Sequence, residues 1–283
     1  MKEKLNTLKQ KWAALLQEPK HQKTRIKDAA DILNVSEAEL LSTTIGKNSF
    51  FLDIQNWEKF FKQITQLGSM MYLVRNDYVV HENKMVVNNI ELDSNNIILS
   101  NAKSIITINQ GMIKYAIYTS SMIRGVEVYS IHLFDKNGIA IIKIYLKNEC
   151  LKDFEAIKNQ YKIEYNFELQ TIGSPNTANL NEEILAINEV QNFSIQQYLE
   201  KISKNNIEIQ IKVSNKVASS IYKGTINNVI HKFGWLNIMD PDFNLHAKDK
   251  EINKISINDA NNTHIQCFYN QLKVLEIIND RKN

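Results

Sequence analysis

Apolar residues recur every three or four positions through the first part of this chain and every second position after it. Leu5, Leu8, Trp12, Leu15 and Leu16 share one helical face, which predicts an amphipathic helix over 3–17 that ends before Pro19. Ile26, Ala29, Ala30 and Leu33 predict a second helix over 24–33. Ser36-Glu37-Ala38-Glu39 has the form of a capping box, so a third helix starts there. Trp57, Phe60, Phe61, Ile64 and Leu67 make the stripe of a fourth, stopped by Gly68. From Met70 the period becomes two. Alternating runs predict strands at 70–75, 78–81, 84–90, 96–99, 104–108, 113–118, 127–134 and 139–146, followed by a helix over 151–161. Residues 164–182 hold Gly173-Ser174-Pro175-Asn176 and little apolar content, so they read as a linker. Helices near 181–191 and 194–204 follow, then a strand at 207–213. Further on, Asp240-Pro241-Asp242 sets a tight turn; Phe243 and Leu245 then share one strand face, with Asn244 and His246 on the other.

The two parts echo each other. Leu73-Val74-Arg75-Asn76 answers Lys212-Val213-Ser214-Asn215, and Ile131-His132-Leu133-Phe134 answers Ile265-Gln266-Cys267-Phe268. The expected fold is therefore α+β, with two repeated halves, each a large antiparallel sheet flanked by helices. The first half with its leading helices takes 1–162, a linker 163–182, and a shortened second half 183–283.

Composition narrows the function. A hydrophobic fraction of 43% is ordinary for a globular protein, and no apolar run is long enough to span a bilayer. Met1–Asn6 is charged and leads into no apolar core of a signal peptide, so the expected location is the cytoplasm. A net charge of +3 does not argue for nucleic acid. The 24–44 region has helix-turn-helix spacing, but Glu37 and Glu39 would open its reading helix against phosphates. Cys150 and Cys267 lie far apart and read as reduced, packed thiols. No phosphate-binding loop or nucleophile motif is present, and no two of the six histidines fall three or four residues apart, so local spacing makes no zinc site.

Chemistry enters through a resemblance carried by several stretches. Gly234-Trp235-Leu236-Asn237-Ile238-Met239-Asp240-Pro241-Asp242-Phe243-Asn244-Leu245-His246 resembles the GWLNVLDPDFNLHL-type signature of the cytoplasmic hemin-degrading and heme-trafficking proteins of the HemS type. Residues 27–40 are similar to that family's RDAAERLGVSEAEL opening, 73–82 to its ALTRNDHAVHE segment, and 130–138 to its SLQFFDAAGD segment. The resemblance implies two structurally repeated halves, heme as ligand, and a place in heme-iron acquisition. The implied partners are a heme-uptake transporter or a downstream heme acceptor.

The chain also departs from the family pattern. Gln191 stands where the family's axial histidine would be, Thr107 is the nearest counterpart of its distal arginine, and Asn258-Asp259-Ala260-Asn261-Asn262 replaces its RKP turn. A heme site needs an apolar slot, an axial donor and cationic or hydroxyl groups for the propionates. On the resemblance, His81 and His246 are the axial candidates, Arg75, Arg124 and Arg281 the propionate candidates, and Trp235 and Phe243 the slot-lining rings. The plainer reading makes His81 a hydrogen-bonded strand histidine, His246 structural, the arginines solvated or in structural ion pairs, and the two rings core. The expected function is heme binding and trafficking. The alternatives are a heme-degrading oxygenase with a substitute axial ligand, and a heme-free member kept for another ligand or protein contact.

Overall fold

The computed structural model describes residues 2–123, 125–147, 149–163, 193–257 and 264–279. Its helices are α1 (Lys2–Gln17), α2 (Ile26–Ile32), α3 (Glu37–Ser42), α4 (Trp57–Thr65), α5 (Leu151–Tyr161) and α6 (Ile195–Lys204). The strands begin with β1 (Ser49–Leu52), β2 (Met70–Arg75), β3 (Val79–Met85), β4 (Asn89–Asp93), β5 (Asn96–Ser100) and β6 (Ser104–Asn109). Then come β7 (Tyr115–Ile123), β8 (Val126–Phe134), β9 (Ala140–Leu146), β10 (Ile209–Ser214), β11 (Ala218–Gly224) and β12 (Val229–Lys232). The chain ends with β13 (Trp235–Met239), β14 (Phe243–Ala247), β15 (Lys254–Ile257), β16 (His264–Tyr269) and β17 (Leu272–Ile278). The fold is α+β with antiparallel sheets, and no described helix is long and apolar enough to cross a membrane.

Packing divides the chain into two units that do not follow sequence order: Met1–Leu67 with Met112–Ala178, and Gly68–Gly111 with Asn179–Asn283. In the first unit, β1, β7, β8 and β9 run side by side. Leu8 and Leu15 of α1 pack on Ala29, Ala30 and Leu40. Ser36 Oγ accepts the Glu39 N–H at 3.1 Å, which is the cap the sequence anticipates. Glu37, Ala38, Leu40, Leu41 and Ser42 are all buried. Lys143 of β9 donates to the Glu37 carboxylate inside this layer, and Ala38 N donates to Gly138 O at 3.1 Å. Helix α3 is thus held down on its sheet, and a helix with so little exposed surface has no face to lay in a nucleic-acid groove.

In the second unit, a five-strand run β2-β3-β14-β13-β12 faces an eight-stranded sheet β15-β16-β17-β10-β11-β6-β5-β4. Between them lies a core with Val79, Leu236, Ile238, Phe243 and Leu245 on one side and Ile211, Val213, Tyr222, Ile265 and Ile277 on the other. Strands exchange reciprocally: β3 takes β14 as its partner, and β11 takes β6. The predicted strands 78–81 and 84–90 prove to be the single β3, with β4 starting only at Asn89. Asn83 hid this, because its polar side chain is buried. It donates to Ser220 Oγ at 2.9 Å and accepts from Ser104 Oγ at 3.2 Å, so the amide costs the core little.

The echoed Asn76 and Asn215 meet in this unit. Asn76 Oδ1 accepts from Tyr78 N and Val79 N, and Asn215 Oδ1 from Val217 N and Ala218 N, so each closes its own turn. Each amide nitrogen then donates across: Asn76 Nδ2 to Ser214 O at 3.2 Å and Val274 O at 2.8 Å, Asn215 Nδ2 to Arg75 O at 3.2 Å. The register shifts at Leu133/Phe134 and at Cys267/Phe268 also fall at echoed positions.

Two stability outcomes follow. Asn76→Ala and Asn215→Ala should each cost about 1–2 kcal/mol in urea unfolding, with the double variant costing measurably less than their sum. Lys143→Met should cost about 3–5 kcal/mol by leaving Glu37 charged and enclosed, and adding Glu37→Leu should recover much of that loss.

Candidate functional site

Strand alternation sorts the candidate residues before any chemistry is considered, because directly opposed residues point to the same side of a sheet. Across the five-strand run, Arg75, Val80, His246 and Asn237 form one lateral row. Trp235, two residues from Asn237, shares that face. One position along, Val74, His81, Leu245 and Ile238 form a row on the other face, which looks into the core. Arg75, His246 and Trp235 are therefore together, and His81 and Phe243 are together, on opposite sides of the same strands.

His81 is fully enclosed. Its ring meets Phe243 edge-on at 4.9 Å, and Phe243 stacks on Tyr222 at 4.2 Å and 5°. Neither ring nitrogen has a hydrogen-bond partner among the described residues, so the hydrogen-bonded strand histidine expected from sequence is not what forms. Burial pushes its pKa down to about 3, which keeps the imidazole neutral at physiological pH. Phe243 has no open ring face to offer a planar ligand.

On the other face, His246 Nδ1 lies 2.6 Å from Asn237 Oδ1. Asn237 Nδ2 donates to Trp235 O at 2.7 Å, which fixes the amide and makes its oxygen the acceptor. A neutral His246 then carries its proton on Nδ1. Arg75 Nε donates to Asn76 O at 3.2 Å, and Lys248 Nζ sits 5.5 Å above the Trp235 ring. Gln191, Arg124 and Arg281 lie outside the described residues, as do all but one residue of the expected linker and the Asn258–Asn262 turn.

The outward face of the eight-stranded sheet holds a constellation that sequence reasoning did not assemble. Ser214, Ser219, Thr107 and Ile98 form one row across β10, β11, β6 and β5, and Lys212, Ile221, Ile105 and Ser100 form the next. Their alternates Val213, Ser220, Ile106 and Leu99 are buried in the core. Ile105 is 42% exposed, and Ile98, Ile221, Thr107 and Ser219 are half-buried. Three isoleucines thus neighbour two hydroxyls on this outward face, with Lys212 beside them and Glu276 directly opposite Lys212 on β17. Such a surface can hold a planar apolar molecule by contact area and meet an anionic substituent at its rim. His264 is on the same face nearer the far edge, with Nε2 held 2.6 Å from Glu276 Oε1. The sequence did carry a signal for this wall: Ile97-Ile98-Leu99 and Ile105-Ile106 are apolar on both strand faces.

Comparisons with known proteins agree on one group. The model of the Haemin-degrading HemS/ChuX domain matches residues 34–161 and 180–267. The hemin transport protein HmuS of Yersinia pestis is 23% identical over 268 residues, covering 80% of this chain and 77% of that protein. Holo-PhuS, a heme-binding protein from Pseudomonas aeruginosa, superposes with a TM-score of 0.84 at 18% identity, over 99% of this chain and 94% of that one. The heme degrading enzyme ChuS of Escherichia coli O157:H7 gives a TM-score of 0.81 at 18% identity, over 99% and 95%.

The enclosed imidazole has a measurable consequence. Above pH 6.5 the folded and unfolded chains both hold His81 neutral. As pH falls below that value the unfolded chain takes up a proton that the folded one refuses, down to about pH 3, so stability is lost at about 1.4 kcal/mol per pH unit. His132, whose pKa burial and Lys143 push well below the ordinary value, adds a second loss in the same direction. Urea midpoints measured from neutral to acid pH should therefore fall less steeply for His81→Phe than for the unaltered chain.

Proposed function

The chain belongs to the haemin-degrading HemS/ChuX family, and from that premise we propose that it binds heme in the cytoplasm and hands it on during heme-iron acquisition. The porphyrin lies against the outward face of the eight-stranded sheet, over Ile98, Ile105 and Ile221. The observation that carries this reading is the apolar wall itself, exposed at Ile105, on a sheet whose reverse face is core. Thr107 and Ser219 meet the macrocycle with neutral hydroxyls, and Lys212 takes a propionate at the rim.

His81 serves the fold: an imidazole sealed against Phe243 reaches an iron only if the core opens. His246, Arg75 and Trp235 belong to the other sheet's far face and form a separate polar cluster there. Among the described residues the wall contributes no imidazole next to its hydroxyls, so the macrocycle is held chiefly by apolar area. That favours a carrier over a ring-opening enzyme, because oxygen activation calls for a positioned donor acting on the bound oxygen. Delivery comes from a heme-uptake transporter, and release goes to a downstream acceptor.

Hemin titration followed at the Soret band tests this. The unaltered chain should saturate, Ile105→Glu should bind about tenfold more weakly with an unchanged urea midpoint, and His81→Phe should bind as before. No saturable Soret change in the unaltered chain would end the heme reading and leave a member of the fold serving another ligand. With ascorbate and oxygen, a carrier keeps its heme spectrum, whereas a bilin-type product would establish ring opening.

A further inference from the structure

The hairpin joining β12 to β13 presents an aromatic residue where the backbone does not suit one. Only Phe233 and Gly234 separate the strands, and both have positive φ, 55° and 78°. That is the signature of a type I′ turn, whose first position favours Asn, Asp or Gly. A bulky residue held left-handed is strained, and Phe233 is 89% exposed, so the folded chain gains no burial in return. The apolar surface continues from the tip along one face of the hairpin through Trp235, with Ile230 at 45% and Met239 at 46% exposure.

The hairpin's own residues carry charge of one sign. From Asn227 to Met239 there is no carboxylate, only His231 and Lys232 as basic groups. Lys232 Nζ stands 5.1 Å from the Phe233 ring centre and Lys248 Nζ 5.5 Å from that of Trp235, and Lys250, two residues after Lys248, is exposed. The acids beside it are each already paired, two of them with its own basic groups. Asp240 is buried and accepts from Asn227 N and Asn228 N at 2.9 and 3.1 Å, Asp249 faces His231 at 3.1 Å, and Glu251 faces Lys248 at 3.7 Å.

We propose that this hairpin is a peripheral anchor for an anionic lipid surface, with Phe233 and its apolar neighbours entering the interface and the lysine collar meeting phosphate groups. Exposed apolar side chains within a cationic ring match the two attractions such a surface offers. The tip projects outward, so a fluid surface conforms to it, whereas a protein partner would have to bring a matching acidic pocket. Entry is shallow and reversible, as one aromatic and a few charges bind weakly alone.

Phe233→Asn separates docking from folding, because asparagine suits the turn that phenylalanine strains. Its urea midpoint should equal or exceed that of the unaltered chain. Co-sedimentation with vesicles of phosphatidylethanolamine and phosphatidylglycerol should show binding by the unaltered chain that falls with added salt. Phe233→Asn should weaken it about tenfold, Lys232→Glu should weaken it further, and phosphatidylcholine vesicles should bind neither. Absence of binding to the anionic vesicles, or equal binding by Phe233→Asn, overturns the proposal. So does a change from dimer to monomer on Phe233→Asn without vesicle binding, which would make the hairpin a contact between copies.

Discussion

Asn76 and Asn215 sit at the ends of β2 and β10, and each uses one side-chain amide for two tasks. The oxygen folds its own turn and the nitrogen reaches a carbonyl where the other strand ends. Because the reach is mutual, β2 and β10 are pinned end to end and cannot slide independently. A one-residue slip of either strand would turn every side chain to the other face. The crossed bonds are thus a register lock for both sheets of the second unit. They decide that Ile211 and Val213 enter the core while Lys212 and Ser214 look outward, and so decide which residues stand in the outer wall.

Much of this was legible in the sequence, and the limits have a physical cause. Helix caps, the turn at Asp240-Pro241-Asp242, the alternation of Phe243 and Leu245 against Asn244 and His246, and the kinship of Asn76 with Asn215 are all local signals. Strand partnership is not. Glu82 accepts from Asn244 across 162 residues of sequence, and nothing near either position announces the other. The grouping of Arg75, His246 and Trp235 apart from His81 and Phe243 depends on those long-range pairs, so it could not be read from the strands alone. Runs such as Ile97-Ile98-Leu99 are ambiguous in another way. Apolar on both strand faces, they do not say which face is core, and here one face is the core and the other is partly open.

Polar groups inside each unit follow two different solutions. Asn83 shares its amide between Ser220 and Ser104, and Glu37 is neutralised by Lys143, so these stay polar because partners come with them. His81 and His132 instead give up charge: among the described residues the first has no hydrogen-bond partner, and the second is matched only at Nε2, 2.9 Å from Ser130 Oγ. A neutral imidazole with open hydrogen-bonding capacity is tolerable in a core where a carboxylate would not be, since desolvating a neutral ring costs far less than desolvating an ion. The same arithmetic removes the helix-turn-helix spacing from functional consideration. A helix whose glutamate is paired inside the protein is anchored by that pair and cannot leave to meet another surface without exposing Lys143 to an unmatched interior.

Heme bound on the outer wall would differ in kind from heme held by a dedicated axial residue. Isoleucine contacts and two hydroxyls supply attraction that grows with covered area and has no strongly preferred distance to the iron. Affinity then comes from the whole macrocycle, and the rate of departure from how readily its edge lifts at the exposed Ile105. A donor fixed in the same sheet would add a metal–ligand bond that must break before transfer, slowing release for each gain in affinity. Backing by the core, with no axial donor beside the hydroxyls among the described residues, is a combination that lets a protein cover one face of heme and still surrender it.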